Sequence, residues 1–286
     1  MAEVITIAAG KGGVGKTATT VNLATAMAMD GCKVLVIDTD VQANSTMFLT
    51  GQRLADNAFK GKGLYELARS FGLLPAKSFI HRSQIEGVDI IASNMGTASL
   101  EEQIKLIAKD SDIEPAEFLF NVLSDIFETE EYDYVLIDTP PAQNSLIVQT
   151  AMVASSYVII PLKLEEQGIE SLLVTDGLRK ALEEKYDIEI DLLGVLPTIV
   201  EKTALTDYYL NVAFSLENEE ENPELERLCV PYKDKIFKNH IRKGNIVNES
   251  TIERKPCVLM NRKKNPSRDY IALWKEIKQR LSEVAE

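Results

Sequence analysis

The chain has 286 residues, 45% of them hydrophobic, and a formal net charge of −13, so a sizeable globular core can form. No apolar run approaches the roughly 20 residues that a membrane-spanning helix needs, and the N-terminus enters its first apolar run without the layout of a signal peptide. Cys32, Cys229 and Cys257 lie far apart, which argues against a zinc or iron–sulfur site and a disulfide framework, and fits a reducing cytoplasm.

Val4 to Ala9 (VITIAA) is a short apolar run of the kind that forms a buried parallel strand. Gly10 to Thr17 follows as Gly-Lys-Gly-Gly-Val-Gly-Lys-Thr, which fits a phosphate-binding loop. Its glycines free successive backbone N–H groups to converge on phosphate oxygens. Lys16 offers a charge to the terminal phosphates, and Thr17 a hydroxyl to Mg²⁺. Lys16 to Met29, rich in Ala, Thr, Leu and Met, predicts a helix that Gly31 stops. Strand, loop and helix are the context that the pattern requires, since the helix N-terminus adds its positive end to the anion site.

Further apolar runs are Lys33–Asp38, Val88–Ala92, Tyr134–Asp138, Tyr157–Pro161 and Asp191–Leu196. Helices are predicted between them near residues 98–109, 115–128, 144–154 and 168–185. This alternation predicts an α/β fold, a doubly wound, mostly parallel sheet flanked by helices, in a single domain spanning residues 1–286.

Two of these strands end in aspartate. Asp38 leads into Thr39-Asp40-Val41-Gln42-Ala43-Asn44-Ser45, and Asp138 into Thr139-Pro140-Pro141. Ligands of doubly wound sheets sit at the carboxyl ends of the strands, so Lys16, Asp38, Asp40 and Asp138 are expected around one nucleotide. An Asp after a strand also serves turns and helix caps; the neighbouring phosphate loop favours chemistry. Mg²⁺ wants hard oxygens and keeps several waters, which nominates Thr17 directly and Asp138 through water.

The charge is uneven. Tyr232 to Glu286 holds 14 basic and 7 acidic residues, a balance of +7, which leaves −20 on the rest. Such asymmetry suggests a polyanion partner. Leu216 to Glu226 holds six glutamates and no base, and reads as a solvated loop or helix end. Ile271, Trp274, Ile277 and Leu281 form one apolar stripe at helical spacing. The acidic end Ser-Glu-Val-Ala-Glu favours packing of this stripe on the sheet over a membrane surface.

With Lys11 standing ahead of the loop's Gly-Gly-Val-Gly-Lys-Thr, the chain resembles the ParA/MinD branch of P-loop ATPases, which carry a deviant Walker A motif. The resemblance covers most of the chain. Asp38-Thr-Asp40-Val-Gln42-Ala-Asn44-Ser45 is similar to the family's first switch, with Val41 in place of proline, and Asp138-Thr-Pro140-Pro141 to its Walker B and following switch. Ala154-Ser-Ser-Tyr157-Val-Ile-Ile-Pro161 and the stretch from Leu196-Pro-Thr198 through Lys202-Thr203-Ala-Leu205-Thr206 also follow the family, whereas Ile241-Arg242-Lys243-Gly244 loses a proline.

The resemblance implies an Mg-dependent ATPase of the short form, without an N-terminal helix-turn-helix domain. Lys11, Gly12, Gly13, Val14, Gly15, Lys16, Thr17 and Ala18 would bind ATP; Thr17, Asp38 and Asp138 would serve the metal; Asp40 would orient the attacking water. Lys11 would reach across a homodimer interface to the partner's ATP, as an arginine finger does. Partition ATPases match best within the branch. They imply an ATP-dependent dimer that binds DNA without sequence preference, a centromere-binding adaptor that stimulates hydrolysis, and a cytoplasmic, nucleoid-associated protein away from the membrane. Candidate DNA contacts are Arg242, Lys243, Arg254, Lys255, Arg262, Lys263, Lys264 and Arg268. The alternative is a MinD-like positioning ATPase acting on membrane or a protein cargo. An ATP-dependent synthetase would need a second polar pocket, for which no residues stand out.

Overall fold

The structure, a computed structural model, describes residues 2–127, 131–214 and 223–284. Most of the acidic stretch 216–226 therefore lies outside the described residues. The strands are β1 (Glu3–Ile7), β2 (Val34–Asp38), β3 (Ile80–Arg82), β4 (Val88–Ile91), β5 (Tyr134–Asp138), β6 (Tyr157–Leu162), β7 (Asp191–Val200) and β8 (Ile241–Arg242). They form one eight-stranded sheet in the order β3-β4-β2-β5-β1-β6-β7-β8. Every pairing is parallel except that of β3 with β4. The doubly wound, mostly parallel sheet expected from the alternation is what the chain forms.

The helices are α1 (Lys16–Met29), α2 (Asn44–Thr50), α3 (Leu64–Arg69), α4 (Leu100–Ser111), α5 (Phe118–Phe127), α6 (Leu146–Val153), α7 (Glu166–Tyr186), α8 (Ala204–Tyr208), α9 (Pro223–Cys229), α10 (Asn245–Glu253), α11 (Cys257–Met260) and α12 (Asn265–Val284). Helix α1 is covered on nearly every face, by the sheet and by α2, α11 and α12, which its small Ala and Thr side chains permit. The stripe of α12 packs where amphipathicity sends it. Trp274 and Ile277 are buried in the core beside β1 and β2, and Ile271 and Leu281 lean against it. A second core on the opposite face joins β2, β4 and β5 to α3–α6, and a third lies under α7 beside β6 and β7.

Strand register brings the loop and the aspartates level. Asp138 pairs with Ile7 on one side and with Asp38 on the other, so β1, β5 and β2 end together at one edge of the sheet. In β7 the register against β8 slips, with Thr198 facing Ile241 and Val200 facing Arg242. Ile199 is the extra residue and sits at φ +55, a left-handed conformation that a β-branched side chain rarely takes.

Candidate active site

Gly13 and Gly15 hold φ of +71 and +87, angles that cost any residue with a Cβ. They turn the chain from β1 into α1. Gly15 is the N-cap of α1 and no side chain caps it, so the first-turn amides and the helix dipole face an incoming anion. Helix α7 braces the loop from behind: Gly10 N donates to Thr175 Oγ1 and Lys11 N to Ser171 Oγ, each at 3.2 Å. A Cβ at Gly10 would stand 2.2 Å from Gln143 Cγ, so the loop also presses on the segment that follows β5.

Lys16 is nearly buried, and its ammonium donates to Ala9 O (3.1 Å) and Lys11 O (3.2 Å). Burial lowers its pKa, while the charges of Asp138 and Asp40 pull it back. The ammonium is held across the loop, where a phosphate would replace the carbonyls as its partner.

Asp138 is fully buried. Its Oδ2 accepts from Thr17 Oγ1 and from Ser45 Oγ, each at 2.8 Å. Thr20 Oγ1 approaches Oδ1 at 3.4 Å. Asp38, also fully buried, accepts from Thr46 N and Thr46 Oγ1 at 2.8 Å, and from Asp40 N at 3.2 Å. Burial raises both carboxyls; the charge of Asp138 adds to the rise at Asp38, and the bonds from Ser45 and Thr17 oppose it at Asp138. Two carboxylates buried so close call for a cation.

Magnesium fits this place. The donors are hydroxyls and carboxylates, hard oxygens throughout. Among the described residues no three His, Cys, Asp or Glu gather into a cage. Mg²⁺ needs none when phosphate and water supply most of its shell. Thr17 and Asp138 would hold it, with Ser45 beside them; Asp38, tied to Thr46, stands one step behind.

Asp40 is turned into its own loop, where Oδ1 accepts from Gln42 N at 2.9 Å and the backbone O accepts from Ser93 Oγ at 2.7 Å. Ser93 N also donates to Thr46 Oγ1 (3.0 Å), so the residues after β4 splint the whole Asp38–Thr46 segment. Lys11 reaches Glu165 Oε1 at 2.5 Å and Gln167 Oε1 at 2.9 Å, both in its own chain. The ammonium beside Glu165 holds that carboxyl below its ordinary range.

The predicted loop, Lys16, Thr17, Asp38, Asp40 and Asp138 thus meet at one edge. Ser45, Thr46, Ser93, Glu165, Ser171, Thr175 and Thr198 were missed. Two of these left a trace: Ser45, as the last residue of the switch-like run after β2, and Thr198, in the family-like stretch that runs from Leu196 to Thr206. Strand, glycine loop, helix and converging aspartates make this a P-loop nucleotide hydrolase.

Comparison with known proteins places it further. The chain belongs to the AAA domain family, which matches residues 2–190, and within it is a ParA/MinD-type P-loop ATPase. It is 26% identical to the sporulation initiation inhibitor protein Soj of Bacillus subtilis over 97% of this chain and 98% of that one. It is 28% identical to the chromosome partitioning protein ParA of Caulobacter vibrioides over 96% of this chain and 93% of that one. Its fold matches that of a McdA–ATP complex from Cyanothece with a TM-score of 0.74, at 20% identity over 98% of this chain and 96% of that one. It is an ATPase of the partition or positioning kind.

The candidate polyanion contacts divide. Arg242 is committed to Asp269, through its side chain and its backbone N (3.0 Å). Lys243 pairs with Glu201 at 2.8 Å, and Arg254 donates to Gly51 O at 3.0 Å. Lys255, Arg262, Lys263, Lys264 and Arg268 are exposed, with no ion pair among the described residues.

Proposed function

We propose that the chain is a DNA-partition ATPase whose output is a reversible change in DNA affinity. The observation that carries this reading is the exposed basic edge Lys255, Arg262, Lys263, Lys264 and Arg268, free of ion pairs among the described residues, on an otherwise acidic chain. Such a surface neutralises backbone phosphates without reading bases. Two copies close on two ATP molecules, and the dimer brings two basic edges to one duplex. The similarity to a chromosome partitioning protein, ParA, supports the choice of cargo.

The chemistry in this reading follows from the site. The loop amides and Lys16 grip the phosphates. Mg²⁺, when bound, neutralises charge on the terminal phosphates. Lys11 leaves Glu165 and lends its ammonium to the partner's ATP. Asp40 gives up Gln42 N and orients the attacking water. An adaptor that favours this closed arrangement accelerates hydrolysis, and the dimer parts and releases DNA.

The test is binding of arbitrary duplex DNA by the Asp40→Ala variant, with ATP and with ADP, from low to high salt. ATP-dependent binding that falls steeply with salt is expected. Binding that ignores both nucleotide and salt overturns the DNA reading. ATP-dependent flotation with anionic vesicles, without DNA binding, would establish the positioning alternative.

A further inference from the structure

Thr198 lies on β7, far in sequence from the phosphate loop, yet it is buried against it. Its Oγ1 donates to Val14 O at 2.8 Å, with Leu162 O as a weaker second approach at 3.3 Å. Its Cβ and Cγ2 stand 3.9 Å from the place where a Cβ on Gly15 would be. One side chain thus fixes a loop carbonyl and packs against the loop's second left-handed glycine.

The consequence follows from peptide geometry. Val14 C=O and Gly15 N–H belong to one planar trans peptide, so they point in opposite directions. A carbonyl pinned toward β7 turns the Gly15 N–H away from β7, to the side on which the loop receives a ligand. Gly15 alone would not choose this orientation, because glycine moves freely between conformations. The strained residue is the next one: Ile199 carries the bulge at φ +55. Bulges beside sites re-aim a side chain, and here the kink falls immediately after the side chain that holds the loop.

We propose that Thr198 is a positioning residue for ATP binding: its hydroxyl orients the Val14–Gly15 peptide so that the Gly15 N–H serves as a phosphate donor. The proposal rests on ATP binding at the loop and is independent of the DNA reading.

The experiment compares the wild-type chain with Thr198→Val, which keeps shape and removes the donor, and Thr198→Ser, which keeps the donor. Affinity for a fluorescent ATP analogue with Mg²⁺ is read beside the melting temperature without nucleotide and the Gly15 amide resonance. The Val variant is expected to lose about tenfold in affinity, the weight of one hydrogen bond. Its Gly15 resonance should shift, and the Ser variant should return to within twofold of wild type. If Thr198→Val does not fold, Thr198→Cys, a weak donor of similar size, should fall between the two. A Val or Cys variant with wild-type affinity overturns the proposal alone, as does a Ser variant as weak as Val. A wild-type chain with no affinity for the analogue overturns the ATP site and the proposal together.

Discussion

Lys11 Nζ and Glu165 Oε1 lie 2.5 Å apart within one chain, with Gln167 Oε1 as the second partner of the same ammonium. The amine proposed to serve a neighbouring copy is therefore held at home before any neighbour arrives. Both side chains are partly exposed, so the hold is worth only about 0.2–1 kcal/mol. That is enough to bias an equilibrium without blocking it. Glu165→Gln should tighten ATP-dependent dimerisation about two- to fivefold in an Asp40→Ala background, as measured by analytical ultracentrifugation. A weaker dimer would mean that Glu165 helps the closed state instead.

The two lysines of the loop should separate by experiment. Lys16 is held across the loop by the Ala9 and Lys11 carbonyls, so Lys16→Ala should lose nucleotide. Lys11 points away from its own loop toward α7. Lys11→Ala should still bind nucleotide as a monomer and fail to hydrolyse it. Titration with a fluorescent ATP analogue, beside a phosphate-release assay, distinguishes them. Normal turnover by the Lys11 variant would refute the proposed trans role.

Much of this was legible in the sequence because local chemistry fixes it. The apolar β-branched runs Val34–Ile37 and Val135–Ile137 can only be central strands, and a glycine loop between strand and helix has few other uses. Strands β3 and β8, at three and two residues, are too short for any periodicity to reveal. The pairs Lys11–Glu165 and Thr198–Val14 join residues 154 and 184 positions apart. Only the sheet order, which sets β6 beside β1 and β7 beside β6, brings them together. Arg242 shows the converse: it reads as a surface cation and is a structural tie to Asp269.

Ile199 offers a stability test. A β-branched residue in the left-handed region costs on the order of 1–3 kcal/mol, and Ile199 is only partly buried. Asn tolerates that region. Ile199→Asn should raise the melting temperature by about 1–3 °C and leave nucleotide affinity unchanged, because Thr198 stays in place. Calorimetry without nucleotide reads the first outcome and ligand titration the second. A lower melting temperature would show that the side chain's packing outweighs the strain.

Glu276 ties α12 to the segment before β8, and its ionisation should show in the pH dependence of stability. Burial pushes its carboxyl up, but the amides of Lys238 and Asn239, the Asn239 side chain and the charge of Arg280 together carry it below its ordinary 4.5. The bonds are 2.9 Å from each backbone N, 2.7 Å from Asn239 Nδ2 and 3.0 Å from Arg280 Nη2. A carboxyl depressed in the folded state adds stability above its unfolded pKa and loses it as pH falls through the folded value. The loss therefore belongs below about pH 4.5 and not near neutrality. Glu276→Gln cannot ionise, so it should be less stable than wild type at pH 7. The two should converge as pH falls from 5 toward 3, as urea midpoints at each pH would measure. A constant gap across that range would show that the carboxylate's charge contributes nothing to holding α12 in place.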